Sequence, residues 1–153
     1  MKTMIHYVSG SLFDQPYDAI VNAVNCVGVM GKGLALEFKN RYPDNYNDYR
    51  AVCLKRALQP GRLHITHFPN EPIIINFATK DHWRNPSELS YIKEGASLLA
   101  LYLEQTPEIK SIAIPKLGCG LGGLSWSEVR PILEKNLSSI RSDIYIFGER
   151  NNE

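Results

Sequence analysis

The chain has 153 residues, with 17 Lys and Arg against 16 Asp and Glu and a formal net charge of +1. That balance gives no support to a general basic footprint for nucleic acid and leaves a local one open. With 44% hydrophobic and 22% charged residues, the composition fits a soluble globular domain long enough to bury a core.

The opening MKTMIHYVSG has no apolar signal core, and no run approaches about 18 uninterrupted apolar residues. The expectation is a cytoplasmic protein with no membrane partner. Cys26, Cys53 and Cys119 are odd in number and widely spaced, which argues against a disulfide framework or a zinc knuckle. His6, His64, His67 and His82 lack a metal-ligand spacing. His64 and His67 lie in a strand pattern, which points them to opposite faces. No metal is expected.

In chain order, Met4 to Val8 reads as a first strand and Asp18 to Val24 as a second. The second is apolar on both faces and therefore central. Leu34, Ala35, Phe38 and Arg41 suggest a short helix opening near Lys32 and stopping before Pro43, followed by a helix over Asp44 to Leu58. Arg62 to Phe68 and Pro72 to Phe77 are strands. Asn85 as N-cap, Pro86 at the first helical position and Glu88 at the third predict the next helix. Its stripe is Leu89, Ile92, Ala96, Leu99 and Leu103. Ile109 to Ile114 is a strand, Ser125-Trp-Ser-Glu128 a capping box for a helix to about Ser139, and Asp143 to Phe147 a last strand. No repeat or linker interrupts the run, so one domain spans residues 1–153. Alternating strands and helices predict an α/β sheet covered on two sides, with ligands beyond the carboxyl ends of the strands.

Two glycine-rich segments follow apolar strands. Asn22-Ala-Val-Asn-Cys-Val-Gly-Val-Met-Gly-Lys-Gly33 leads into the first helix, and Pro115-Lys-Leu-Gly-Cys-Gly-Leu-Gly-Gly-Leu124 leads to the helix capped by Ser125. Glycine lets a ligand approach the backbone closely, and clustered N–H groups beside a helix N-terminus make an anion site. Neither segment has Walker A or GxGxxG spacing, so a two-loop clamp on a diphosphate is expected instead. Asn22 and Asn25 end the second strand, where a short amide either bonds a ribose hydroxyl or caps the turn. Ligand contact is favoured for Asn25.

Together VNAVNCVGVMGKGLALEFKNRYP, NFATKDHWR and IPKLGCGLGGLSW, in this order across residues 4 to 148, resemble the macrodomain family. The likeness is to the branch of DarG-type antitoxin macrodomains and the terminal ADP-ribose glycohydrolase. It implies a three-layer α/β/α fold with a mixed, mostly parallel central sheet. It also implies ADP-ribose as ligand, with no separate cofactor. Gly10, Ser11 and Leu12 would meet the adenine, although serine stands where many macrodomains have an aspartate. Asn25, Cys26, Gly28, Val29, Met30, Gly31, Lys32 and Gly33 would lie along the distal ribose and phosphates. Gly118, Cys119, Gly120, Leu121, Gly122 and Gly123 would wrap the diphosphate, with Thr79 beside them.

In this branch a lysine after the apolar strand is implicated in cleaving the ADP-ribosyl bond, and Lys80 stands at the matching place. Lys80 and Asn22 are the candidate catalytic residues. A lysine attacks the anomeric carbon or steadies charge on it. Attack requires a neutral amine, with Lys32, Arg84 and Lys116 as candidate cationic neighbours. Asp81, beside Lys80, would oppose that. The terminal glycohydrolase has an aspartate in its second loop where this chain has glycine, which brings the chain closer to the DarG pattern. His82 reads as structural or solvent-facing and Trp126 as core. Trp83 and Arg84 either pack the loop against the body of the fold, the favoured reading for Trp83, or hold a nucleobase or DNA strand by stacking and charge. Cys26 and Cys119 read as neutral thiols. The implied function is removal of ADP-ribose from a modified target, a DNA base above all, by a monomer with a possible toxin partner. A binding module without turnover, or a hydrolase of ADP-ribosyl esters, O-acyl-ADP-ribose or ADP-ribose phosphate, is the alternative.

Overall fold

The computed structural model describes residues 5–150. Met4 of the expected first strand and the outermost residues of the expected domain lie outside them. Six strands form one sheet: β1 (Ile5–Tyr7), β2 (Ala19–Val24), β3 (Leu63–Thr66), β4 (Ile73–Ala78), β5 (Ser111–Pro115) and β6 (Asp143–Phe147). Their order is β1-β6-β5-β2-β4-β3, parallel throughout except where β3 runs antiparallel to β4. The sheet is mixed and mostly parallel, as expected, with β2 at its interior.

Alternation along the strands sorts the core into two layers. Ala19, Val21, Ile75, Phe77, Ile112 and Ile114 pack with Ile92, Ala96 and Leu99 of α3 (Leu89–Glu104) and Val129 and Leu133 of α4 (Trp126–Leu137). Ile20, Val24, Ile74, Ala78 and Ala113 face the other way. They meet Phe38 of α1 (Gly33–Arg41) and Tyr49 and Cys53 of α2 (Pro43–Leu54). This is an α/β/α sandwich. One close approach depends on a missing side chain: a Cβ on Gly95 of α3 would lie 2.2 Å from Cζ of Phe77.

Strand ends shift by one to two residues, and the larger differences from expectation are two helix boundaries and one cap. α2 ends at Leu54, before the expected Leu58, because Arg56 turns left-handed at φ 56°. α3 begins at Leu89 with Glu88 as N-cap, so the Asn85–Pro86 start is not used. Instead the Ser87 N–H donates to Gly122 O at 2.9 Å, tying this segment to the second glycine loop before the helix begins. Ser125 does cap α4 by position, but its Oγ lies 2.7 Å from Ser127 Oγ and no side-chain capping bond forms.

The antiparallel partner β3 and the N-terminus of α2 are joined to β4 by a buried amide cluster. Asn45 and Asn76 bond reciprocally, at 2.8 and 3.3 Å, while Thr66 Oγ1 donates to Asn45 Oδ1 at 2.7 Å. Glu71 accepts from the N–H groups of Asp44 and Asn45 at 3.1 Å each, filling the open donors of α2's first turn. α2 is thereby held at a fixed height on the sheet, and this height matters at the site.

Candidate functional site

The parallel strands β4, β2 and β5 are adjacent, so the segments leaving their carboxyl ends share one edge of the sheet. These are residues 79–88, 25–33 and 116–124. Main-chain bonds stitch them together: Thr79 N to Val24 O at 2.9 Å, Cys26 N to Asp81 O at 2.8 Å, and Ser87 N to Gly122 O at 2.9 Å. All three motifs singled out in the sequence therefore meet at one place.

The first loop is built around Asn25, which is 7% exposed. Its Oδ1 accepts from the N–H groups of Val27 and Val29 at 3.1 and 3.3 Å, and its Nδ2 donates to Val29 O at 2.8 Å. The turn-capping role is thus realised. One Nδ2 hydrogen remains for a ligand. Behind it Tyr49, fully buried on α2, places its hydroxyl 2.7 Å from Asn25 O and 2.9 Å from Asn25 Oδ1. Burial holds the Tyr49 phenol well above its ordinary range, so it stays a neutral donor. Only the fold reveals this brace, since Tyr49 lies on a helix outside every motif.

The loop then exposes Gly31, Lys32 and Gly33 at the start of α1, whose first-turn amides have no helical acceptor. Leu12 and Met30, at 5% and 1% exposed, turn their side chains into the core, which leaves only their main chain for a ligand. Asn22 is the other expected catalytic residue. It is fully buried in mid-strand on the α2 face, its Nδ2 3.8 Å from Met30 Sδ and 3.5 Å from Asn76 Oδ1. There it supports Met30 from below, and its Oδ1 is buried without a hydrogen-bond partner.

The second loop turns at Gly118 with φ 77°, where a Cβ would lie 2.7 Å from Leu124 Cδ1. Residues Gly120–Gly122 form a single 3-10 turn, and Leu124 N closes the loop onto Gly118 O at 3.0 Å. Among the described residues, the N–H groups of Gly120 and Leu121 donate to no protein acceptor. A Cβ on Gly122 would lie 2.5 Å from Ser87 Oγ, so glycine is required for the contact between loops. Ser87 Oγ is itself buried without a hydrogen-bond partner, beside Lys80 and Gly122. Reading Ser87 as part of a helix start concealed this.

Lys80 is half-buried at the end of β4, and its Nζ donates to Leu121 O at 3.2 Å and Trp83 O at 3.3 Å. Both acceptors are main-chain carbonyls. Of its suggested neighbours, Lys116 is drawn to Glu149 at 2.8 Å, and that pairing holds the Glu149 carboxyl below its ordinary range. Arg84 lies 4.6 Å over the Trp83 ring. His82 is structural, its Nδ1 accepting from Arg84 N at 3.1 Å. Trp126 is core at 6% exposed, whereas Trp83 does not pack the loop and is 46% exposed. Burial pushes the Cys26 thiol up to about 12 and raises that of Cys119, in keeping with neutral groups.

At the far side, Gly10 lies three residues beyond the end of β1, and its φ is 98°. Ser11 Oγ accepts from Phe13 N at 3.1 Å, and Asp14 Oδ2 accepts from Ser11 N at 3.0 Å. The carboxylate missing at position 11 therefore occurs in the same turn, three residues on. Among the described residues no group of three or more His, Cys, Asp or Glu could hold a metal ion, and no helix is long and apolar enough to cross a membrane.

The Macro domain family model matches residues 21–133. The chain belongs to the macrodomain family. A DNA ADP-ribosyl glycohydrolase of Thermus aquaticus is 39% identical over 150 residues, 94% of this chain and 41% of that protein. The macrodomain of Mycobacterium tuberculosis DarG superposes with a TM-score of 0.89 at 40% identity, covering 96% of this chain and 99% of the other. Thermosipho africanus DarTG, solved in complex with ADP-ribose, gives 0.86 at 30% identity, over all of this chain and 44% of that one. This macrodomain thus spans about two fifths of the length of the curated relatives it matches.

Proposed function

We propose that this macrodomain binds ADP-ribose across the carboxyl edge of its sheet and hydrolyses the bond between ADP-ribose and a modified DNA base. The observation that carries the reading is the position of Lys80. Its Nζ is held by Trp83 O and Leu121 O, between the segment after β4 and the second glycine loop. Support comes from the relatives named for this activity and from the ADP-ribose complex of the Thermosipho protein.

The open amides of Gly120 and Leu121 and those at the start of α1 would receive the diphosphate. The remaining Nδ2 hydrogen of Asn25 would reach a hydroxyl of the distal ribose. Lys80 would then act at the anomeric carbon as the base departs, either by attack or by steadying charge. Water completes the hydrolysis, giving ADP-ribose and the restored base. Positioning by main-chain dipoles and one reactive amine suffice for such a bond. An antitoxin setting, with a DNA-modifying toxin as partner, draws support from the fused Thermosipho relative, named as a DNA ADP-ribosyl transferase and glycohydrolase.

The test is incubation with ADP-ribosylated thymidine DNA, ADP-ribosylated guanosine DNA and ADP-ribosyl-glutamate protein, alongside Lys80→Ala. Release of ADP-ribose from DNA, slowed roughly 100-fold or more in the variant, supports the reading. Tight ADP-ribose binding with no cleavage would instead make the protein a binding module.

A further inference from the structure

The segment after β4 carries a feature that the clamp does not use. Trp83 is 46% exposed, in a protein whose other tryptophan is 6% exposed and hydrogen-bonded through its indole to Glu149 O at 2.8 Å. Exposing an indole forgoes the large burial free energy that ring offers. The ring is also dressed in cationic and aromatic groups. The Arg84 guanidinium lies 4.6 Å over its face, and the His82 ring stacks beside it at 5.1 Å with a 33° tilt.

Trp83 does not stand alone. Seven large apolar side chains are exposed among the described residues, and four of them lie on the three clustered loops. These are Val27 at 40%, Val29 at 41%, Trp83 at 46% and Leu121 at 71%. Lys80 Nζ bonds the carbonyls of both Trp83 and Leu121, so the apolar rim is attached to the reactive amine. Exposed Lys32 and Arg84 add positive charge to the same rim. Apolar surface and cations together suit a ligand with flat π faces and phosphates. The proposed diphosphate clamp uses main-chain amides, which leaves these side chains available to the target's side of the scissile bond.

We infer that Trp83 and Arg84 form a docking platform for a nucleotide flanking the modified base in single-stranded DNA, an inference that rests on the proposed function. A neighbouring base would stack on the indole while the guanidinium turns to a backbone phosphate. The strand must be single or locally opened, because a modified base still in its duplex stack cannot bring the anomeric carbon of its ADP-ribosyl group to Lys80. A platform for one nucleotide also fits a net charge of +1, which would not support an extended DNA track.

The experiment compares two substrates, an ADP-ribosylated mononucleoside and a single-stranded oligonucleotide of about ten nucleotides carrying the same modification, across several salt concentrations. Trp83→Ala is expected to raise KM for the oligonucleotide roughly tenfold more than KM for the mononucleoside, with most of the loss recovered in Trp83→Phe. Arg84→Ala is expected to flatten the dependence of log KM on log salt by about 0.7 for the oligonucleotide. Equal effects of Trp83→Ala on both substrates would overturn the platform in favour of a local structural role. No effect on the oligonucleotide would also overturn it and leave the rim to a protein partner. If the wild-type protein cleaves neither DNA substrate, the proposed function falls as well. A wild type that cleaves both with a Trp83→Ala variant that matches it sinks the platform alone.

Discussion

Asn25, Tyr49 and Ser87 show how single side chains set the site. Asn25 uses one amide to close its loop, and Tyr49 fixes that amide from the helix behind. Tyr49→Phe removes a buried donor and leaves Asn25 Oδ1 one partner short, at about 1 kcal/mol. ADP-ribose affinity measured by calorimetry should then fall roughly fivefold, and an unchanged affinity would show that the loop holds without the brace. Ser87 is the opposite case. Its hydroxyl contributes no hydrogen bond to the fold, so Ser87→Ala should leave the melting temperature within about 2 °C of the parent. A loss of turnover in a variant of unchanged stability would assign that hydroxyl to the substrate.

At the scale of elements, the seating of α3 and α2 on opposite faces of the sheet positions the loops. Gly95 lets α3 lie against Phe77, and a methyl group 2.2 Å from Cζ cannot be accommodated without moving the helix or the ring. Gly95→Ala should therefore cost about 1–3 kcal/mol, although alanine is the better helix former, and a denaturant midpoint at or above the parent's would contradict this packing. Capping arithmetic placed the start of α3 three residues early, with Asn85 instead of Glu88 as N-cap. Local chemistry there does favour a helix. A main-chain bond to the second glycine loop, however, holds Ser87 out of the helix, and no sequence pattern carries a contact between segments 35 residues apart. Strand assignments fared better, because period-2 alternation reports directly on which faces are buried.

For the molecule as a whole, ligand and proton linkage give two measurable consequences. ADP-ribose at about 100 times its Kd should add roughly 2.7 kcal/mol of stability, visible as a thermal shift that Lys80→Ala need not abolish. Alkaline pH acts in the other direction. The Cys26 thiol is held at about 12 by burial against an ordinary 9.0, and the Tyr7 hydroxyl at about 12 by burial and its bond to Glu134. The folded state keeps these protons more tightly than the unfolded chain, so their contribution is full below pH 9 and lost as pH rises towards 12. The melting temperature should decline above pH 9, less steeply in Cys26→Ala, and an identical slope in that variant would remove Cys26 from the account.

The fold class, the central place of β2 and the meeting of three loops beyond the strand ends were all legible in the chain. Each follows from hydrophobic period and from glycines placed after strands, which are local properties. What tertiary structure alone decided is which polar groups are free. Asn22 and Asn25 look alike in sequence, yet one is sealed under Met30 and the other closes a loop with one hydrogen left over. Trp83 reads as packing its loop and Trp126 as core, yet only Trp126 is buried. Burial and hydrogen-bond partners come from segments distant in the chain, so a residue's type can nominate it for a site while only its surroundings in space can admit it.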